Sequence, residues 1–256
     1  MNKTRKGKNS VLGVFSYISL ILVLLPYFVL GIYLVIRGIG QASPDLFSDG
    51  FWNHALYTVL ICLSSVLIAC LIGFPVAVYL EEFAGNSVWI QMIRYSLSLL
   101  SRLPAVFIGM FVVTILRPQI LNGHTFGAAL LALTIVSLPA IIQGCRHTLR
   151  SIPNYYRNAI LGLGASASEA FRYLILPNIV PRFGWYALIA LGRAFGETTA
   201  VFIAVGGFQS TQTLAVDLLQ STLHSQYAYT YALILLLLSI LTGLFGESAA
   251  NAGEKM

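Results

Sequence analysis

Two residues four positions apart, Arg193 and Glu197 in Gly192-Arg193-Ala194-Phe195-Gly196-Glu197-Thr198-Thr199, carry opposite charge inside an otherwise apolar stretch. On a helix that spacing is one turn, so the two would share a face. Arg102 stands near the start of another apolar stretch. A charge at the centre of a bilayer costs about 3 kcal/mol on insertion scales, and such residues face a bundle interior or a solute path. Arg193, Glu197 and Arg102, with Thr198 beside the glutamate, are therefore the candidates for a path. The bland alternative is mutual neutralisation of Arg193 and Glu197 as a packing element, with Arg102 snorkelling to the interface. Two arginines against one glutamate leave a positive surplus, which favours an anion, and the planar guanidinium fork suits a tetrahedral oxyanion.

Elements that can hold these charges follow from composition. Of 256 residues, 57% are hydrophobic and 9% charged, with mean hydropathy +0.81, against roughly a quarter charged in soluble domains. The apolar residues fall into long runs, and a helix needs about 20 residues to cross about 30 Å of hydrocarbon. Six spans are predicted, at about 11–36, 54–80, 97–116, 125–145, 184–206 and 228–246, giving an all-α integral membrane protein. Pro26, Pro75, Pro104 and Pro139 lie within four of them, which neighbouring helices can accommodate. The chain reads as one membrane domain: residues 1–52 hold the N-terminal segment, first span and outer loop, and 53–250 hold the core.

Orientation follows from Lys and Arg, because positive loops stay in the cytoplasm. With the N-terminus inside, the inner segments carry Lys3, Arg5, Lys6, Lys8, Arg94, Arg146, Arg150, Arg157, Arg172, Arg182 and Lys255, and the outer flanks only Arg37 and Arg117. Both termini are expected in the cytoplasm, with the chain in the cytoplasmic membrane. The apolar run after the basic N-terminus exceeds the roughly 7–15 residues of a signal-peptide core, so an uncleaved span is expected.

Other chemistries find little support. Cys62, Cys70 and Cys145 form no C-x-x-C pair, and His54, His124, His147 and His224 are scattered without an H-E-x-x-H, so no metal site or cofactor is indicated. Glu81 and Glu82 are adjacent, point apart on a helix and make a poor acid/base pair. The basic residues cluster beside spans without aromatic interleaving, which argues against nucleic acid.

The inner segment 146–183 differs from the rest in having polar residues at helical spacing. Ser151 and Pro153 can open a short helix, Gly162 or Gly164 can end it, and Ser166 with Glu169 forms a possible capping box for a second helix that stops before Pro177. By pattern alone, this helix-turn-helix could simply lie in the interface.

Asn158-Ala159-Ile160, Gly164 and Leu174-Ile175-Leu176-Pro177 fall at the spacings of the EAA loop (E-A-A, three residues, G, nine residues, I-x-L-P). The segment thus resembles that of binding-protein-dependent ABC importer permeases. Asn158 stands where that family has glutamate, Ile160 for its second alanine and Leu174 for its isoleucine. Arg193-Ala194-Phe195-Gly196-Glu197-Thr198 resembles the R-A-x-G-E-T signature of phosphate-specific permeases. Gly73–Phe83 and Arg102–Gly109 resemble the end of their second span and the start of their third, the PstA type more than the PstC type. The resemblance covers roughly residues 53–207.

It implies the MetI-like permease fold and import of phosphate by alternating access. Residues 155–172, with Asn158, Ala159, Gly164, Leu174, Leu176 and Pro177, would be the coupling site for an ATPase. The implied partners are two ATP-binding subunits, a second permease that is homologous or identical, an extracytoplasmic phosphate-binding protein and membrane lipid. No G-x-x-x-x-G-K-[ST] loop occurs, so the ATPase must be a separate chain and this one is no enzyme. Molybdate, tungstate or sulfate remain alternative solutes, and a passive anion channel an alternative class.

Overall fold

The computed structural model describes residues 3–47, 49–85, 87–116, 125–205, 213–224 and 227–254. Arg117 and Lys255 of the charge count lie outside them, as do the last residue of the fifth predicted span and His124. Among the described residues the chain is helical throughout: α1 (Lys3–Gln41), α2 (Asp49–Val78, continued by a π turn at Tyr79–Phe83), α3 (Val88–Leu100), α4 (Ala105–Ile115), α5 (Thr125–Arg150), α6 (Asn154–Gly162), α7 (Ala167–Gly196), α8 (Thr198–Ala204), α9 (Leu214–His224) and α10 (Ala228–Glu254).

Five of these helices are long and apolar enough to cross a membrane: α1, α2, α5, α7 and α10. The third predicted span, 97–116, is not one straight helix. The chain turns through 100° between α3 and α4. Pro104 supplies the reason: it lacks an N–H, disfavours helical backbone at Leu103, and serves as the extended N-cap of α4. At 11 residues, α4 is about 16 Å long, too short to cross alone.

The bundle is organised around α5, whose faces toward α2, α7 and α8 are buried. Ile61, Ala129, Leu133, Ile141, Ala190, Phe195 and Val216 belong to the principal core. Close crossings depend on missing side chains, as expected where lipid tails supply no hydrophobic drive between helices. A Cβ on Gly192 of α7 would meet the Ser239 carbonyl of α10 at 2.8 Å, and the Ser239 hydroxyl donates to the Gly192 carbonyl at 2.7 Å. Similarly, Gly109 lets α4 approach the Ala200 carbonyl of α8, where a Cβ would come within 2.8 Å. In contrast α1 is peripheral. Its contacts run to α10 near its end, where Thr230 donates to the Gly38 carbonyl at 2.8 Å.

An inverted pattern marks α3. Arg94, Leu97 and Ser98 are half-buried toward the protein, and the Arg94 guanidinium donates to the Leu80 carbonyl. Trp89, Met92, Tyr95 and Leu99 are exposed, Trp89 by 77%. A helix that shows Trp, Met, Tyr and Leu outward while its one arginine turns to the protein suits a lipid interface, with Trp and Tyr at headgroup level. With Trp52 and Trp185 replaced by Phe, Trp89 fluorescence is expected to be quenched more by lipids brominated near the headgroup than by lipids brominated at the chain ends. The reverse order would place α3 deep in the membrane.

Candidate functional site

On the last turn of α7, Ala190, Leu191, Gly192, Ala194 and Phe195 are buried while Arg193 is exposed. The guanidinium therefore leaves the bundle on the side this chain does not pack. The helix ends at Gly196. Glu197 has φ −83° and ψ 70°, and α8 restarts at Thr198. The expectation that Arg193 and Glu197 share a helical face thus meets a broken helix. Neither side chain makes a hydrogen bond or an ion pair within 4 Å among the described residues, and the two act on each other at longer range.

Glu197 and Thr198 are half-buried at this break, and Arg102 is exposed in the turn between α3 and α4. No contact joins Arg102 to the other two. What relates them is packing of the helices that follow each break, α4 against α8. Two interrupted helices side by side leave irregular backbone, which within a membrane is tolerated where it lines a cavity or is covered by protein.

The inner segment folds largely as its pattern predicts. Pro153 is the extended N-cap of α6. The helix closes with Ala165 N–H on the Ile160 carbonyl at 3.3 Å, and Gly164 sits at φ 90°, in the region where a side chain is strained. Ser166 and Glu169 form the capping box reciprocally.

One expectation is overturned. The second helix does not stop before Pro177 but runs on into α7. A π turn at Phe171–Ile175 shifts the pairing, with Leu176 N–H on the Phe171 carbonyl, and Pro177 falls at the first turn after it, where proline is tolerated.

Asn158, Ala159, Gly164 and Pro177 are exposed, and Leu174 and Leu176 half-buried. No residue of α6 is buried, and Tyr155, Tyr156, Leu161 and Leu163 present apolar surface, Leu163 with 88% of its area. Such a patch on a short helix is of the kind that contacts a protein or a membrane surface.

A charged cluster under this segment escaped sequence reasoning. Glu81 accepts from Arg146, Nε to Oε1 at 2.5 Å, and from Arg150 at 3.0 Å. Glu82 pairs with Arg157 of α6 at 2.9 Å. The glutamate side chains are only 11% and 9% exposed. The wide π turn brings both neighbours onto the protein side. Arg146 and Arg150, one turn apart at the end of α5, were the available signal.

At the far end of the bundle His54 Nδ1 lies 2.6 Å from Asp217 Oδ2. Burial pushes the Asp217 carboxyl up, and the imidazole opposes it. His147 Nδ1 lies 2.9 Å from the Tyr186 hydroxyl. No cluster of three or more potential metal ligands occurs among the described residues.

Residues 72–248 match the family described as binding-protein-dependent transport system inner membrane component. That match covers more than half of the chain, which therefore belongs to this family of ABC importer permease subunits. Members are membrane subunits, with ATP hydrolysis on separate chains.

Among the similar proteins is the probable ABC transporter permease protein YqgI of Bacillus subtilis, 28% identical over 183 residues, 68% of this chain and 62% of that protein. The aligned region thus spans less than two thirds of that relative's length. The phosphate transport system permease protein PstA of Mycobacterium leprae is 26% identical over 216 residues, 79% of this chain and 70% of that protein.

The solved structures share the fold. An inward-facing MetNI methionine ABC transporter chain superimposes with a TM-score of 0.67 at 19% identity, covering 83% of this chain and 99% of that one. A chain of a bacterial ABC transporter involved in import of the acidic polysaccharide alginate gives 0.62 at 14% identity, covering 97% and 99%.

Proposed function

We propose that this chain is the PstA-like permease subunit of an ATP-driven phosphate importer in the cytoplasmic membrane. The permease core would run through 53–250, with both termini in the cytoplasm. The observation that carries the reading is Arg193: a guanidinium on a spanning helix, turned away from the chain's own core and without an ion-pair partner among the described residues. A charge there is costly against lipid. It fits a water-filled path closed by a second permease, homologous or identical. Arg193, Glu197, Arg102 and Thr198 are the proposed lining. Glu197 at the helix break makes the site bistable in charge, able to meet the arginine when no anion is bound.

On this reading one of two ATP-binding subunits docks on α6 and the other on the second permease, and an extracytoplasmic phosphate-binding protein delivers the solute. Binding requires only charge and hydrogen bonds from a fixed fork, and movement comes from alternating access driven at α6. Phosphate is supported by the R-A-F-G-E-T segment and by the PstA relatives. A positive path alone would equally suit sulfate, molybdate or tungstate, so competition decides.

In cells lacking the gene, the wild-type chain should restore radiolabelled phosphate uptake, and excess sulfate or molybdate should leave it unchanged. Restored uptake of another oxyanion in place of phosphate would overturn the solute and keep the importer. Flux down a gradient without ATP would favour a channel.

A further inference from the structure

The Tyr79–Phe83 turn at the end of α2 meets the inner segment twice. On one side Glu82 pairs with Arg157 of α6 at 2.9 Å, while Arg157 also donates to the Leu149 carbonyl of α5 at 2.7 Å. On the other side the Phe83 ring lies edge-on to Phe171, centroids 5.9 Å apart, and Phe171 opens the second π turn, within α7. Glu81, the residue preceding Glu82, takes Arg146 and Arg150 of α5. Apart from these contacts α6 is exposed along its length.

A π turn inserts one residue into a helix and is frequent at functional positions. Here one such turn carries three consecutive side chains to three different elements: Glu81 to α5, Glu82 to α6 and Phe83 to the start of α7. The Glu82–Arg157 contact is an ion pair at 2.9 Å that buries the Glu82 carboxylate and the Arg157 Nε.

We propose that Tyr79–Phe83 is the receiver of the coupling segment. Glu82–Arg157 and Phe83–Phe171 fasten α6 and the start of α7 to α2, and Glu81 with Arg146 and Arg150 carries the displacement to α5. Glu82 is thus a positioning residue: it touches neither solute nor ATPase, and it makes α2 follow α6. This rests on the reading that an ATPase docks on α6. A merely adhesive pair would hold the segment in place without setting how far α2 moves.

The test uses the assembled permease–ATPase complex with Cys62, Cys70 and Cys145 replaced by alanine and spin labels at the exposed positions Leu163 and Leu71. Pulsed-dipolar distances are read without nucleotide and after trapping with ATP and vanadate, so no solute is needed. In the wild type the distance should be the same in both states, because α6 and α2 travel together. In Glu82→Gln it should broaden or shift on trapping, and exchanging the charges, Glu82→Arg with Arg157→Glu, should restore it.

A wild-type distance that changes on trapping, or a Glu82→Gln distribution identical to wild type, overturns the proposal. If Glu82→Gln does not assemble, Arg157→Gln is read in the same way. Failure of both to assemble makes the pair structural and also overturns it. In proteoliposomes, ATP consumed per phosphate imported should rise about tenfold in Glu82→Gln. A wild type that moves no phosphate would count against the solute assignment alone, since the distances still decide the receiver.

Discussion

Arg193→Ala is expected to lower phosphate uptake by about a hundredfold or more, the scale of removing one charge from a desolvated pair, with co-purification of the ATPase unchanged. The residue lies on the last turn of α7 with its neighbours Gly192 and Ala194 buried and its own side chain outside the bundle. Truncation therefore removes no core packing, and α7 keeps its close crossing on α10 at Gly192. Arg193→Lys should fall between, because an ammonium keeps the charge and loses the planar fork. Glu197→Gln should separate two roles: retained uptake would make the carboxylate dispensable, and loss would make the charge pair part of the cycle. Initial rates of labelled uptake, normalised to chain in the membrane, give the measurement. Wild-type rates in Arg193→Ala would remove Arg193 from the path.

The long apolar runs, the capping box at Ser166 and Glu169, and the left-handed Gly164 were legible in the sequence because each is local: burial length, one hydrogen-bond pattern and one backbone region decide them. The break at Pro104 was half legible. Proline in a spanning helix is compatible with either a kink or a stop, and only the surrounding packing selects the 100° turn. Continuation of the helix through Pro177 was illegible, since it depends on a π turn five residues long just before it. The same holds for Glu81 and Glu82. Read on a regular helix they diverge; the π turn and three arginines from two later helices give them separate partners. Arg193 and Glu197 stood out in the sequence as charges in an apolar stretch, but the spacing that put them on one face assumed a helix that ends at Gly196. What the sequence could not carry was every feature set by helices far apart in the chain.

Removing residues 155–165 is expected to abolish ATP-dependent uptake and co-purification with the ATPase while the spanning bundle persists. Little in the bundle depends on this segment: α6 contributes no buried residue, and the core clusters draw on α2, α4, α5 and α7 through α10. Its one charged anchor is Arg157, whose loss leaves Glu82 unpaired at 9% exposure. An unpaired carboxylate at that depth costs several kcal/mol, so the deletion should carry Glu82→Gln as well, which replaces the charge by a neutral amide. A smaller lesion tests the same surface without shortening the chain. Leu163→Asp places a charge on a side chain that is 88% exposed, so folding should be unaffected, while docking of a hydrophobic groove onto α6 should weaken by about tenfold or more. Co-purification in detergent reports the dock and labelled uptake reports transport. Loss of both together identifies α6 as the dock, whereas uptake persisting down a gradient after the deletion would show a path that opens without an ATPase and would turn the chain from importer to channel.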